Sequence, residues 1–270
     1  MAPMTLSPTR LSRDILKLSG PDTKSLLQGL LTANMDHLAE GRALYAALLT
    51  PQGKILETLF LTMTAEDIYA DLPTGRGPGF LKKLMLYRLR AKVEMSDVTA
   101  DYLVCVFPDE DSVLEGAIAA APDPRHAELG FRWLAPRVSG IPDTEDTYLA
   151  HQLTLGIPDM GAGIGEAEAF PLDVNLDALH GIDHKKGCFV GQEVASRMFR
   201  KGEIRKRTYI VRGDNLTPGT SLKQEGRTVG EIRHAVGGTG LAIVRLDRLD
   251  GEAAMAEDIP VTLHKPDYLP

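Results

Sequence analysis

Thiols are scarce in this chain. Of 270 residues only Cys105 and Cys188 are cysteine, and they lie far apart. A disulfide framework is excluded, and a reducing compartment is the expectation. An iron–sulfur cluster ordinarily takes four thiolates, so two distant cysteines cannot supply a full ligand set. Long apolar runs are missing too. No stretch of about eighteen apolar residues occurs, so no membrane span is expected. Arg10, Arg13, Asp14 and Lys17 break up the first segment where a signal peptide would carry its apolar core. There is no G-x-S-x-G elbow, no H-E-x-x-H pair and no Walker loop. The seven histidines show no metal-ligand spacing with Cys188, and no intrinsic metal site is expected. Stand-alone hydrolase or kinase chemistry is therefore not expected.

A surplus of positive charge is also absent: the formal net charge is −7, which argues against a general nucleic-acid binder. Its distribution is more telling. From Lys185 to Arg207 eight Lys or Arg face two Glu, a local net of +6, so the rest of the chain sums to −13. Lys82, Lys83, Arg88, Arg90 and Lys92 form a second basic island. Two such islands in an acidic chain suit either an anionic ligand or two solvated faces.

The length suggests two or three packed units. Arg13 to Leu18 reads as a strand. Pro21 at a first helical position, with Asp22 in the first turn, favours a helix start, and Leu26, Leu27, Leu30 and Leu31 stripe that helix. Ala43 to Thr50 and Lys54 to Met63 read as a hairpin turned at Pro51-Gln52-Gly53. Asp67 to Leu72 is a third strand. The next helix carries Phe80, Leu81, Leu84 and Tyr87, and Tyr102 to Phe107 is a buried strand holding Cys105. Residues 120–147 read as an irregular connection, followed by a helix from Asp146 to Leu155. Gly161, Gly163 and Gly165 resemble a nucleotide-binding loop only superficially, with no strand leading in and no helix directly after. From Arg207 onward, short strands at Tyr209–Arg212, 220–223, 228–233, 241–246 and Ile259–His264 predict a small β-barrel.

The most informative run is Lys186-Gly187-Cys188-Phe189-Val190-Gly191-Gln192-Glu193. Two glycines flanking a cysteine suggest a tight backbone path, and helix formers follow from Gln192 to Met198. Cys188 is then placed just before a helix N-terminus, two residues from Lys186. Both neighbours would favour thiolate, lowering the thiol pKa from about 8.5. A cysteine so placed could be a nucleophile, a redox group or one ligand of a transferred metal centre. It could equally fill a small buried space, as free cysteines commonly do.

Lys186 to Glu193 resembles the K-G-C-[aromatic]-x-G-Q-E signature of the YgfZ family. That family includes mitochondrial iron–sulfur assembly factors and is related to the T-protein of the glycine cleavage system. Phe170 to Leu176 with Gly181-Ile182, Arg197, Gly202, Lys206-Arg207, Leu27 to Thr32, Gly53-Lys54, Tyr87 to Val93 and Gly240 to Ala242 also resemble family segments. The resemblance implies an α+β fold. Interlocked mixed units of T-protein-like architecture would span residues 1–206, with a C-terminal β-barrel over residues 207–270. It implies tetrahydrofolate, including polyglutamylated forms, as the cofactor in a central opening, and iron–sulfur assembly proteins or client [4Fe–4S] enzymes as partners. The location implied is the cytoplasm, or the mitochondrial matrix in a eukaryote, with only indirect effects on tRNA modification. Cys188 and Lys186, with Gln192 and Glu193, become the functional motif, and Arg197, Asn175, Arg90 and Asn34 the folate contacts. T-proteins carry an Asp where Asn34 stands here, which speaks against the alternative, folate-dependent aminomethyl transfer or demethylation.

Overall fold

The structure is a computed structural model, and it describes residues 7–109, 114–137, 141–160, 164–200 and 204–270. Gly161, Gly163 and Gly202 lie outside those residues.

The chain starts with β1 (Thr9–Leu11) and β2 (Arg13–Ser19), then α1 (Thr23–Leu30). Pro21 precedes α1 rather than opening it, because Asp22 is the N-cap. The Asp22 carboxylate is drawn elsewhere, accepting from the Lys92 backbone N–H at 2.7 Å. Leu27, Leu30 and Leu31 are buried beneath the sheet formed by β3 (Leu44–Leu49), β4 (Ile55–Met63) and β5 (Asp67–Pro73) with β2. α2 (Gly77–Arg88) and β6 (Glu94–Asp97) complete this unit, whose strand order is β3-β4-β5-β2-β6. Phe80 and Leu84 bury one side of α2 against Leu16, Leu18, Leu59 and Leu61. Tyr87, by contrast, is exposed. Just past α2, Leu89 adopts φ +46° and is 87% exposed.

β7 (Tyr102–Phe107) pairs with β1, so the first strand of the chain leaves its own unit to edge a second sheet. That crossing interlocks the two units. The second sheet runs β1-β7-β9-β8, with β8 at Ala119–Pro122 and β9 at Phe131–Pro136. Residues 120–147 are therefore not an irregular connection. Ala119–Pro122 has almost no strand propensity of its own, and it becomes a strand only by pairing with β9. α3 (Glu145–Thr154) then covers this unit. The units are pinned by Asp71, which accepts from Arg13 Nε at 2.7 Å and from Arg132 Nη2 at 2.9 Å. The Arg132 guanidinium lies 3.7 Å from the centre of the Phe60 ring. Burying these charges is tolerable because each is paired or stacked.

A turn-rich stretch over residues 170–184 leads to α4 (Gln192–Arg200). The last unit is a closed antiparallel barrel in the order β10-β13-β12-β11-β14-β15. Its strands are β10 (Lys206–Arg212), β11 (Ser221–Gln224), β12 (Arg227–Val236), β13 (Thr239–Arg245), β14 (Ala253–Ala256) and β15 (Ile259–His264). β14, Ala-Ala-Met-Ala, gives no strand signal in sequence; closure of the barrel between β11 and β15 creates it. No described helix is long and apolar enough to cross a membrane.

Candidate functional site

The Lys186–Glu193 run is a loop laid across the Pro51–Gly53 hairpin turn, opening into α4. Gly191 has φ +79°, and a Cβ there would sit 2.5 Å from the Thr50 carbonyl oxygen. Gly53 faces it with φ +81°, and a Cβ there would meet Val194 at 2.9 Å. These two glycines form one tight crossing. Gly187 differs: nothing lies within 4 Å of where its Cβ would be, and its backbone is not left-handed. The tight path is needed only on the C-terminal side of the cysteine. Cys188 is exposed, whereas Cys105 is sealed in β7 and burial pushes its thiol up to about 12.

Lys186 does not attend the thiol. Its side chain runs back into the first unit, where Nζ donates to the carbonyls of Leu31 and Ala33, each at 2.7 Å. Its ammonium also lies 5.3 Å from the Phe189 ring centre. Burial pulls Lys186 down to about 8, against the opposing pull of Asp183 and Asp36. The expected lysine–thiol partnership is corrected to a lysine that ties the motif to the end of α1.

Next to this loop an open cavity of about 1140 Å³ lies between the first unit, the β8–β9 connection and the 177–185 stretch. Asn34, Tyr45, Asp177, Asp183, His184 and Phe199 are among its lining residues. Asn34 caps a 3-10 turn, Met35–His37. Its Oδ1 accepts from Gln28 Nε2 and the Asp36 N–H, and its side chain also hydrogen-bonds Asp183. Burial pushes Asp183 up, but bonds from the Lys185 N–H, Asn34 and the Lys186 N–H reverse this and hold it below the usual carboxylate range. Asp177 is engaged by Arg207, whose Nη2 donates at 2.7 Å. The cavity's arginine and lysine side chains, Arg42, Lys185 and Arg200, have no carboxylate partner among the described residues. The lining therefore has uncommitted positive charge and committed negative charge.

His184 stacks on Phe199 with ring centres 3.7 Å apart and planes 14° off parallel. Both its ring nitrogens are buried without a hydrogen-bond partner in the protein. Burial holds its pKa below the ordinary imidazole value against the opposing pull of Asp177 and Asp183, and the Arg200 charge adds to the lowering.

Of the motif and folate-contact residues assigned from the resemblance, Asn34 alone lines this cavity. Asn175 is a correction. It is 0% exposed, sits at φ +58°, and gives both amide hydrogens to the Thr208 carbonyl and the Tyr268 hydroxyl, while Oδ1 accepts from Thr208 N–H. With its amide so occupied it fastens the 170–184 stretch to β10 and leaves nothing for a ligand. Arg90 is exposed beyond α2 and does not line the cavity. Gln192, Glu193 and Arg197 come together with Ser196 and Arg200 on one flank of α4, a shallow groove of about 570 Å³. Arg200, shared by groove and cavity, links the two. Tyr45, His184 and Phe199 were missed. His184 and Phe199 flank the cysteine motif, yet an aromatic pair fifteen residues apart has no local signature.

Comparison with known proteins adds an independent line. Residues 205–270 match the family model described as the CAF17 C-terminal beta-barrel domain. The chain is 31% identical over 298 aligned residues to the human mitochondrial iron–sulfur cluster assembly factor IBA57, covering 96% of this chain and 83% of that protein. The mitochondrial IBA57 homologue of Mycosarcoma maydis is 30% identical over 217 residues, 72% of this chain; the match spans about half, 54%, of that longer protein. Among solved structures, the glycine cleavage system aminomethyltransferase T from Bartonella henselae superposes with a TM-score of 0.77 over 98% of this chain and 88% of that one, at 14% identity. The fold is thus that of the aminomethyltransferases, with mixed helix and sheet content and a closed six-stranded barrel.

Proposed function

The chain belongs to the IBA57 family of iron–sulfur cluster assembly factors, and from that premise we propose that it supports assembly or repair of [4Fe–4S] enzymes, with tetrahydrofolate held in the Asn34–His184 cavity. Within the family we assign it to the YgfZ branch, on the Lys186–Glu193 signature. The observation that carries the reading is continuity. Asp183, His184 and Lys185 line the cavity, and the exposed Cys188 follows three residues on. Three residues span at most about 10 Å, so thiol and cavity work within reach of each other. Cys188 is one ligand for a cluster in transit, and the remaining ligands come from a partner protein or a small thiol. Among the described residues no group of three or more His, Cys, Asp or Glu could hold a metal ion.

Folate suits this cavity on three counts. Arg42, Lys185 and Arg200 are uncommitted cations for the carboxylates of a glutamate tail. The orphaned nitrogens of His184 want a polar edge opposite them. The volume accommodates a drug-sized ligand. When bound, the folate supplies reduced ring nitrogens able to take up a one-carbon unit. The protein's residues orient the ring and neutralise the tail.

The alternative, aminomethyl transfer in its own right, needs a proton acceptor. Asn34 cannot serve, and Asp183 is held well ionised, a weak base at neutral pH. Any effect on tRNA thiolation runs through the clusters of the modifying enzymes, and the compartment is the bacterial cytoplasm or the matrix. The test is complementation of a deletion strain. Cys188→Ser should leave [4Fe–4S] enzyme activities at the deletion level while protein abundance stays normal. Full restoration by the serine variant would remove the proposal.

A further inference from the structure

We propose that the exposed end of α2 is a docking knob for a partner protein that meets it with an apolar groove rimmed by carboxylates. This goes beyond the assembly reading and leans on it only for the cellular assay.

The apolar residues are the first ground. Met85, Leu86, Tyr87 and Leu89 are four of the seven large hydrophobic residues exposed among the described residues, and they fall within five positions. Single exposed apolar residues need no explanation, but a contiguous group marks an interaction surface. α2 buries its other side, Phe80 and Leu84, in the first unit. Lys82, Met85 and Leu86 stand away from that side at helical spacing, where a surface helix ordinarily carries polar residues. Leu89 is the second ground. It holds φ +46° and ψ −108° just past the helix, with its side chain 87% exposed. Glycine adopts such a conformation without strain. A strained backbone that presents a leucine to water serves something other than stability.

The rim identifies the partner. No acid occurs between Lys82 and Val93. Lys83 is engaged by Glu57 and Glu166, whereas Lys82, Arg88, Arg90 and Lys92 are exposed with no carboxylate partner among the described residues. An apolar knob ringed by four such cations is complemented by an apolar groove ringed by acids. A second copy of the chain would bring the same positive rim. A bilayer is a poorer match, because a handful of side chains gives too little apolar area to hold a membrane, and the net charge of −7 opposes anionic headgroups.

The test places full-length variants in a deletion strain. Leu89→Gly should melt no lower than wild type, yet leave [4Fe–4S] enzyme activities well below wild type. Leu86→Ser, at a position already 71% exposed, should lower them too at normal protein abundance. With p-benzoylphenylalanine in place of Leu86, irradiation should link one protein, through a peptide that carries Asp or Glu. That protein, purified, should bind wild type, lose affinity about tenfold with Leu89→Gly, and bind more weakly as salt rises. Full activity from both variants would overturn the proposal. So would no cross-link, a cross-link only to a second copy, or flotation of wild type with phosphatidylserine vesicles that Leu86→Ser abolishes. If Cys188→Ser restores the activities while the linked protein still binds through Leu89, the assembly reading falls and the docking knob stands.

Discussion

Gly191→Ala isolates the crossing that holds the cysteine loop in place. The substitution forces an L-residue to φ +79°, a left-handed conformation costing roughly 1–2 kcal/mol. Its Cβ would press on the Thr50 carbonyl oxygen at 2.5 Å, Leu49 Cβ at 2.9 Å and Gly53 Cα at 3.2 Å. The first and last are backbone and cannot swing aside, so overpacking adds roughly 1–3 kcal/mol. The stiffer unfolded chain returns about 0.4–1 kcal/mol. The net loss is about 3 kcal/mol, a large share of an ordinary stability of about 5–15 kcal/mol. Gly187→Ala is the internal control. It meets open space from an unstrained backbone and should change stability by less than about 0.5 kcal/mol. Urea unfolding followed by far-UV dichroism gives both midpoints on one slope. Equal midpoints for the two variants would refute the reasoning, whichever way both moved.

Asn175→Ala should cost about 2–4 kcal/mol through three lost hydrogen bonds and a left-handed alanine, and calorimetry should show the melt falling sharply. Leu89→Gly should stabilise the protein by about 1 kcal/mol, because glycine adopts φ +46° without the leucine's strain; a lower melting temperature would contradict this. Lys186 sits at about 8 in the folded chain against 10.5 for the free side chain, so the unfolded state holds the extra proton between those values. Wild type should therefore gain stability relative to Lys186→Met from about pH 7.5 to about pH 9.5, measured by paired urea midpoints; a flat difference would show the lysine to be unperturbed. A thiol reagent should modify one cysteine per native chain, Cys188, and the second only after unfolding, since Cys105 is buried with its thiol pushed to about 12.

Local patterning, read from sequence, was enough for the β3–β4 hairpin, β2, β7, α1, α3 and α4, because alternation or a helical stripe of leucines is a property of consecutive residues. The barrel was legible as β-rich sequence with regular turns, and the cysteine loop as an unusual composition before a helix. What escaped was everything created by closure in space. Ala119–Pro122 and Ala253–Ala256 carry no strand propensity and become strands because an edge waits for them. Lys186 read as a companion to the thiol, yet two orphan carbonyls at Leu31 and Ala33 claim its ammonium. Asn175 read as a ligand contact, yet the barrel's first strand uses up its amide. The sequence alone determined those helices and strands whose pattern lies in consecutive residues, together with the cysteine motif, since these follow from neighbours along the chain. Only the tertiary structure decided which polar groups are left unpaired at the cavity, because a hydrogen-bonding partner is a matter of distance in space and sequence separation does not encode it.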